Sequence, residues 1–148
     1  EQQAIAAEVR QKIVAGAAAE AEVERGVMAG AGGVTRLARL IPDAVAMDML
    51  LTGGTIDARR AYEVGLVSEL VPAGKALERA MEKAETIGRN APVAVRVTKQ
   101  VARRGRDMGL YAALEYERIA FRRVMLSDDA VEGIASFVEK RAPKYTGR

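Results

Sequence analysis

The amino-acid sequence predicts a mainly α-helical fold with at most one short strand. Apolar residues make up 49% of the 148 residues, yet the aromatic ones are limited to two Phe and four Tyr, without Trp. An aliphatic composition of this kind favours packed helices over a sandwich of strands. Prolines and glycines divide the chain into segments whose apolar residues recur at helical spacing. The length suits one domain with a substantial core.

The chain begins with a segment that favours a helix. Residues 2–24, QQAIAAEVRQKIVAGAAAEAEVE, contain no proline and are rich in Ala, Glu, Gln and Arg, which are good helix formers. Ile5, Val9 and Ile13 recur every four residues and form a narrow apolar stripe. We therefore predict an N-terminal Ala-rich helix over residues 1–24 and a second helical region over residues 25–148.

A glycine-rich stretch follows, EVERGVMAGAGGVTRL at residues 22–37. It could be a phosphate-binding loop or a turn that needs positive φ. A P-loop requires a Gly-Lys-Ser or Gly-Lys-Thr ending, and no lysine is near. A dinucleotide fingerprint requires a third glycine where Thr35 stands. The structural turn is therefore favoured, with close helix packing after it.

Local signals place three helices after the turn. Pro42 ends the first, predicted over residues 34–41, because the residue before a proline is pushed out of the helical region. AVAMDMLLTGG predicts the second, closed by Gly53 or Gly54 in the left-handed conformation. Asp57 can cap the third, ARRAYEV.

The second half of the chain contains the strand candidate and four more helices. LVSELV, residues 66–71, is bounded by Pro72 and is the one segment that favours a strand. Helices are then predicted for Lys75 to Ile87, for VAVRVTKQVARR after Pro92 (with a strand as the lesser option), for Leu110 to Leu126, and after Ser127, which can cap the last helix. RAPKYTGR is predicted to be a basic, extended tail.

Composition and charge exclude several function classes. The chain contains no Cys and no His, which excludes thiol nucleophiles, disulfides, Ser-His arrangements and most zinc sites. We expect no membrane partner and a cytoplasmic location, because no apolar run approaches a membrane span and no secretory leader is recognisable. The net charge of +3 suits an anionic small molecule as well as a nucleic acid. No aromatic residues interleave the basic ones, so nucleic acid is not the expected partner.

The segment from Glu22 to Gly74 resembles the region after the active site in the crotonase superfamily of enoyl-CoA hydratases and isomerases. The family's Glu-Val, Gly-Ala-Gly-Gly, Arg-Leu-x-Arg and Leu-Thr-Gly motifs appear in order in EVERGVMAGAGGVTRLARL and LLTGG. GLVSELV and the C-terminal EGIASFVEKRAPKYTGR match as well. The resemblance covers residues 22–148 and implies the helical C-terminal half of that fold.

The resemblance implies candidate site residues. Glu22 occupies the place of the second catalytic glutamate of the hydratases, and Phe137 and Lys140 occupy places that contact the CoA of a neighbouring subunit. Alternatively, Phe137 belongs to the core and Lys140 is a solvated residue at a helix end, where the dipole favours a cation. The implied substrate is a coenzyme A thioester, and no further cofactor is required. The family's first glutamate and its oxyanion-hole segments have no counterpart here. Ala21 stands where the family has proline, so a continuous helix could instead make Glu22 a surface residue.

Three hypotheses remain open from the sequence. In the first, the chain is a self-assembling remnant or engineered truncation that forms a homotrimer or hexamer without a complete active site. In the second, it is an acyl-CoA enzyme that uses Glu22 as acid and base. In the third and weakest, it binds nucleic acid through the basic residues Arg96, Lys99, Arg103, Arg104 and Arg106.

Overall fold

A computed structural model of the chain describes residues 21–148, and this range is mainly helical with no β-strand. Its eight helices are α1 (Ala21–Glu24), α2 (Gly33–Leu40), α3 (Asp43–Thr52), α4 (Ala58–Glu63), α5 (Ala76–Gly88), α6 (Pro92–Gly105), α7 (Leu110–Met125) and α8 (Asp128–Val138). The predicted fold class is confirmed. Most of the predicted N-terminal helix, residues 1–20, lies outside the described residues, so the boundary between residues 24 and 25 stays a prediction.

The chain divides into two compact units, one up to Ala84 and the other from Glu85 to Arg148. In the first unit, α2 and α3 pack through a small aliphatic core. Ala46 and Met49 of α3 are 0% and 1% exposed, and Leu37 and Ile41 are buried with them. The partly buried residues around this core are Ala38, Val45, Leu50, Ile56, Val64 and Leu66.

Local chemistry sets the helix boundaries of the first unit as predicted. Ile41, just before Pro42, leaves the helical region with φ −129° and ψ 166°. Gly53 ends α3 in the left-handed conformation with φ 72°. The Asp57 carboxylate caps α4 by accepting a 2.7 Å hydrogen bond from the backbone N–H of Arg60.

The glycine-rich stretch is a turn, as the sequence analysis favoured. Gly26 and Gly32 have φ values of 73° and 90°, a region that glycine enters without steric cost. The guanidinium of Arg36 lies over Gly32, where a Cβ would come within 3.0 Å of Arg36 Cζ. Arg36 Nη1 also donates to the carbonyl of Ala31 at 3.2 Å. Glycine is therefore favoured at position 32 chiefly by its backbone conformation, since the end of the flexible Arg36 side chain could move aside.

The strand prediction for residues 66–71 is wrong. The N–H groups of Leu66 and Val67 both donate to the carbonyl of Ala61, at 2.9 and 3.3 Å, so they cap the end of α4. The Glu69 carboxylate ties the segment to α5 through Lys83 Nζ at 2.6 Å and Arg79 Nε at 2.8 Å. These two cations lower the pKa of the Glu69 carboxyl, Lys83 more than Arg79. The N–H groups of Leu66 and Val67 are thus not available to a β-ladder, and the Glu69 ion pairs hold the segment against α5.

In the second unit, α6 and α7 form an antiparallel pair. Gly105 allows close approach near the connection, since a Cβ there would lie 3.7 Å from Ala113 Cβ. Further along, Gln100 Nε2 donates to the Tyr116 hydroxyl at 2.6 Å. Pro92 occupies the first turn of α6, so helix rather than strand is confirmed for this segment.

The second unit buries polar rather than apolar side chains. Among residues 85–148 the buried ones are Ser127, Asp129 and Ser136, and neither α6 nor α7 has a buried residue. Ser127 caps α8 as predicted, accepting from the N–H of Ala130 at 3.2 Å. The largest exposed apolar side chains of α7 and α8 are Leu110, Tyr111, Leu114, Ile119, Phe121, Met125, Val131, Ile134, Phe137 and Val138.

Candidate functional site

Glu22 lies in α1, and its carboxylate has an unusual environment. Ala21 and Glu22 are both helical, and the continuous helix expected ahead of them lies outside the described residues. The side chain is only partly exposed, however, so Glu22 is not a simple surface residue. Its Oε2 is shielded from solvent and has no hydrogen-bond partner. A shielded carboxylate oxygen without a partner costs free energy, and such groups are frequent at functional sites.

The backbone around Glu22 is held by local hydrogen bonds. Its carbonyl accepts from the N–H groups of Arg25 and Val27, both at 3.0 Å, and Gly26 N–H donates to the carbonyl of Val23 at 3.1 Å. These bonds close α1 directly before the glycine-rich turn. The turn therefore fixes where the Glu22 carboxylate stands relative to the start of α2.

Phe137 and Lys140 lie together at the C-terminal end of α8. The Phe137 ring is 84% exposed and Lys140 is exposed as well. The Lys140 N–H donates to the carbonyl of Phe137 at 3.3 Å, so the two residues belong to the same helix-ending turn. The ring and the ammonium are both available to a ligand or partner. Glu22 belongs to the first unit and this pair to the second.

A network that the sequence analysis missed holds the C-terminal tail against α8. Asp129 lies in the first turn of α8, and it is only 2% exposed. Its carboxylate accepts from the N–H groups of Thr146, at 2.6 Å, and Gly147, at 2.9 Å. The spacing of Asp129 and Glu132 on one helix face, opposite a basic tail, was the available signal.

Glu132 is the second anchor of the tail. Both of its oxygens pair with the Arg141 guanidinium, through Nη1 at 2.5 Å and Nη2 at 2.8 Å. Glu132 also accepts from the Lys144 N–H at 2.7 Å. The paired guanidinium of Arg141, and after it the Lys144 amide, lower the pKa of the Glu132 carboxyl to about 2. The carboxyl is therefore ionised throughout the physiological range.

The anchors surround an open hollow of about 340 Å³ lined by Asp128, Asp129, Glu132, Arg141, Lys144 and Thr146. Hydrogen bonds within the tail network already engage Asp129, Glu132 and Arg141. Between residues 21 and 148 no cluster of potential metal ligands occurs. In the same range, no helix combines the length and the hydropathy needed to cross a membrane.

Comparison with known proteins places these features in a family. The family model described as Enoyl-CoA hydratase/isomerase matches residues 5–148. The 2,3-dehydroadipyl-CoA hydratase of Escherichia coli is 38% identical over 127 residues, which are 86% of this chain and 50% of that protein. The (E)-benzylidenesuccinyl-CoA hydratase of Thauera aromatica is 40% identical over 85% of this chain and 49% of its own length.

Solved structures agree. The crystal structure of enoyl-CoA hydratase from Mycobacterium tuberculosis matches with a TM-score of 0.83 and 41% identity, over 86% of this chain and 50% of that one. The Bacillus anthracis enoyl-CoA hydratase matches with a TM-score of 0.83 and 39% identity, over 86% and 49%. The chain spans about half the length of the relatives that it matches. On this sequence and structural likeness, which confirms the crotonase resemblance, the chain belongs to the enoyl-CoA hydratase/isomerase family.

Proposed function

We propose that this chain acts as a self-associating helical part of an enoyl-CoA hydratase/isomerase-type protein, and that it assembles as a homotrimer or as a pair of trimers. The observation that carries the proposal is the exposure of apolar side chains in the second unit. Tyr111 and Leu126 are each 87% exposed, and their apolar neighbours on α7 and α8 are exposed as well. Many large apolar side chains left exposed on neighbouring helices favour a surface that binds another protein.

The free energy gained by burying these apolar side chains favours association of the chains over leaving the surface exposed to water. Burying one such side chain contributes about 1.5–3 kcal/mol, so several together can offset the entropy lost on association. The surface is repeated identically on every copy. A closed symmetric arrangement lets each copy bury the same patch, which is the commonest form of homo-oligomer.

A charge placed on the exposed surface tests this assignment. Leu126→Glu should lower the sedimentation coefficient toward that of a single chain, because a carboxylate would be desolvated in the interface. Leu51→Glu is the matched control, since Leu51 is also an exposed leucine, at 73%, but belongs to α3 in the first unit. Equal sedimentation of Leu126→Glu and the unaltered chain would remove Leu126, at the end of α7, from the association surface.

We propose an acyl-CoA enzyme as the second candidate function. The shielded and unpartnered Oε2 of Glu22 favours it. A carboxylate in this state can take a proton from water or from the carbon next to a thioester, and can return it. In this proposal the chain acts on an enoyl-CoA or a related acyl-CoA thioester. The exposed Phe137 ring would contact the adenine, and the Lys140 ammonium a phosphate, of CoA bound by a neighbouring subunit.

Hydration of crotonyl-CoA tests the second candidate. Glu22→Gln should lower kcat by about 100-fold or more, because general acid–base catalysis contributes at least that much. Glu24→Gln is the matched control: it lies in the same short helix and is exposed, so its rate should be unchanged. An equal rate in Glu22→Gln and the unaltered chain would eliminate Glu22 as acid and base.

The remaining expectations stay predictions: a cytoplasmic location, no further cofactor, and no nucleic-acid partner. The last has a direct measurement. Any retention on DNA or RNA should be weak and should not show the steep decline with salt that several phosphate contacts produce.

A further inference from the structure

A lysine ends α8 in a backbone conformation that usually requires glycine. Lys140 has φ 54°, whereas the other described residues with positive φ are all glycines. The Lys140 N–H donates to the Phe137 carbonyl at 3.3 Å, and the Arg141 N–H donates to the Ser136 carbonyl at 3.0 Å. These two bonds form a Schellman motif with Lys140 at the left-handed position. A Cβ makes that conformation costly, so the lysine stands here at a conformational cost that glycine would avoid.

Three bonds from the residue after Lys140 hold this turn closed. The Arg141 guanidinium spans both oxygens of Glu132, and its Nε donates to Glu139 Oε2 at 2.5 Å. The paired residues lie on α8 and at its end. They therefore fix the direction in which the chain leaves the helix, and with it the backbone of Lys140.

The end of the tail is fastened as well. Asp129 receives the N–H groups of Thr146 and Gly147, and its own N–H donates to the Arg148 carbonyl at 3.3 Å. Gly147, at φ 80°, lies against the Pro92 ring, where a Cβ would come within 3.6 Å. A residue in an unfavourable conformation persists only when its surroundings fix it in this way.

We propose that residues 141–148 form a strap, and that the strap positions Lys140 and Phe137 as a cation and a ring for the phosphate and the adenine of a CoA thioester. In this account Asp129 and Glu132 are positioning residues that act through the tail, and they do not contact the ligand. The inference rests on the CoA-binding role of Phe137 and Lys140 proposed above. It adds why a lysine stands where glycine fits better and what keeps it there.

Two variants of the chain distinguish the contribution of the Lys140 ammonium from that of the strap. Lys140→Gly keeps the turn, and relieves its backbone, but removes the ammonium. Glu132→Ala keeps the ammonium but removes the acceptor of both Arg141 and the Lys144 amide. Glu117→Ala is the matched control, because it deletes an exposed glutamate of α7 and changes the net charge equally.

Two measurements are made on each variant: the affinity for coenzyme A by calorimetry, and the rate at which trypsin cleaves after Arg141 and Lys144. Lys140→Gly should bind coenzyme A about tenfold more weakly, with an unchanged cleavage rate and a melting temperature that does not fall. Glu132→Ala should also bind about tenfold more weakly, and its tail should be cleaved several times faster. Glu117→Ala should match the unaltered chain in both measurements.

Several outcomes would overturn the inference. It is wrong if Glu132→Ala is cleaved faster but binds coenzyme A normally, if its tail is cleaved no faster, or if Lys140→Gly binds normally. If Glu132→Ala proves unfolded by circular dichroism, Glu132→Gln takes its place with the same expectations. If the unaltered chain itself does not bind coenzyme A, the proposed CoA role fails and the inference fails with it. A failure of the proposed CoA role is recognised from the coenzyme A affinity of the unaltered chain, without any variant.

Discussion

At the scale of single residues, carboxylates organise much of the described structure. Asp57 caps α4, Glu69 ties the segment after α4 to α5, and Asp129 and Glu132 hold the tail. Glu22 differs from these four because its Oε2 has no hydrogen-bond partner. A carboxylate that is satisfied stabilises its surroundings, whereas an unpaired and shielded one is available for chemistry.

The Glu132 carboxyl makes the fastening of the tail depend on pH. Its pKa in the folded chain is about 2, below the ordinary value of 4.5. A folded-state pKa that is lowered adds stability above the ordinary value, and this stability is lost as the pH falls from about 4.5 toward 2. We expect the Lys144 N–H to lose its protection from hydrogen exchange across that window. Glu132→Gln should remove most of the dependence.

NMR titration of the Glu132 side chain is the direct check. A carboxyl that titrates near 4.5, with a Lys144 N–H already unprotected at neutral pH, would contradict the tail contacts described above.

A residue's role could be predicted from the sequence when its partners lie close to it along the chain. The cap residues Asp57 and Ser127 and the left-handed Gly53 were predicted, because each role depends on neighbours within four residues. The burial of Asp129 could not be predicted in this way, because its hydrogen-bond partners lie 17 and 18 residues away, at the end of the chain. The shielding of Glu22 likewise depends on packing that no local pattern reveals.

At the scale of elements, the first unit depends on the packing of α2 against α3. The core is small, since the buried cluster is formed by Leu37, Ile41, Ala46 and Met49. Met49 is its most completely buried large side chain, at 1% exposed. Because few side chains form this core, truncating one large side chain should lower the free energy of unfolding substantially.

Met49→Ala should therefore lower the free energy of unfolding by about 3 kcal/mol, through lost transfer energy and the cavity left behind. Met28→Ala is the control, because Met28 lies in the segment just before α2 and its side chain is exposed. This substitution should change the free energy of unfolding by less than about 0.5 kcal/mol. Urea denaturation measures both. A cost below about 1 kcal/mol for Met49→Ala would mean that the α2–α3 core does not hold the unit together.

Helices were predicted well and the strand was not, for a physical reason. A helix forms its hydrogen bonds within one segment, so spacing and end signals are sufficient. A strand requires a partner segment, whereas the N–H groups of Leu66 and Val67 bind the end of α4 and the Glu69 carboxylate binds α5. The apolar residues at the start of LVSELV reflect packing within the unit: Val67 is buried and Leu66 packs against its core.

At the scale of the whole molecule, the two compact units bury different kinds of side chain. The unit up to Ala84 has an aliphatic core among its described residues, whereas Glu85–Arg148 buries Ser127, Asp129 and Ser136. The apolar spacing in α7 and α8 correctly predicted helices. The same spacing could not show that these apolar faces stay exposed within the chain, because periodicity alone does not reveal which surface packs against a helix face.

Family membership follows from the whole chain, whereas the site rests on a few residues. The order of the glycine-rich turn, LLTGG, GLVSELV and the C-terminal segment carried the resemblance, and the family match over residues 5–148 confirms it. The roles of Glu22, Phe137 and Lys140 stay proposals, each with its own variant above. Fold is a weaker guide to activity than the geometry of a site.

The central claim is that the apolar faces of α7 and α8 are covered by other copies of this chain. Light scattering coupled to size-exclusion chromatography at micromolar concentrations tests it most directly, because it gives the mass of the assembly without assuming its shape. We predict a mass of three or six chains that stays constant on dilution through the micromolar range. A well-behaved particle with the mass of a single chain would contradict the claim.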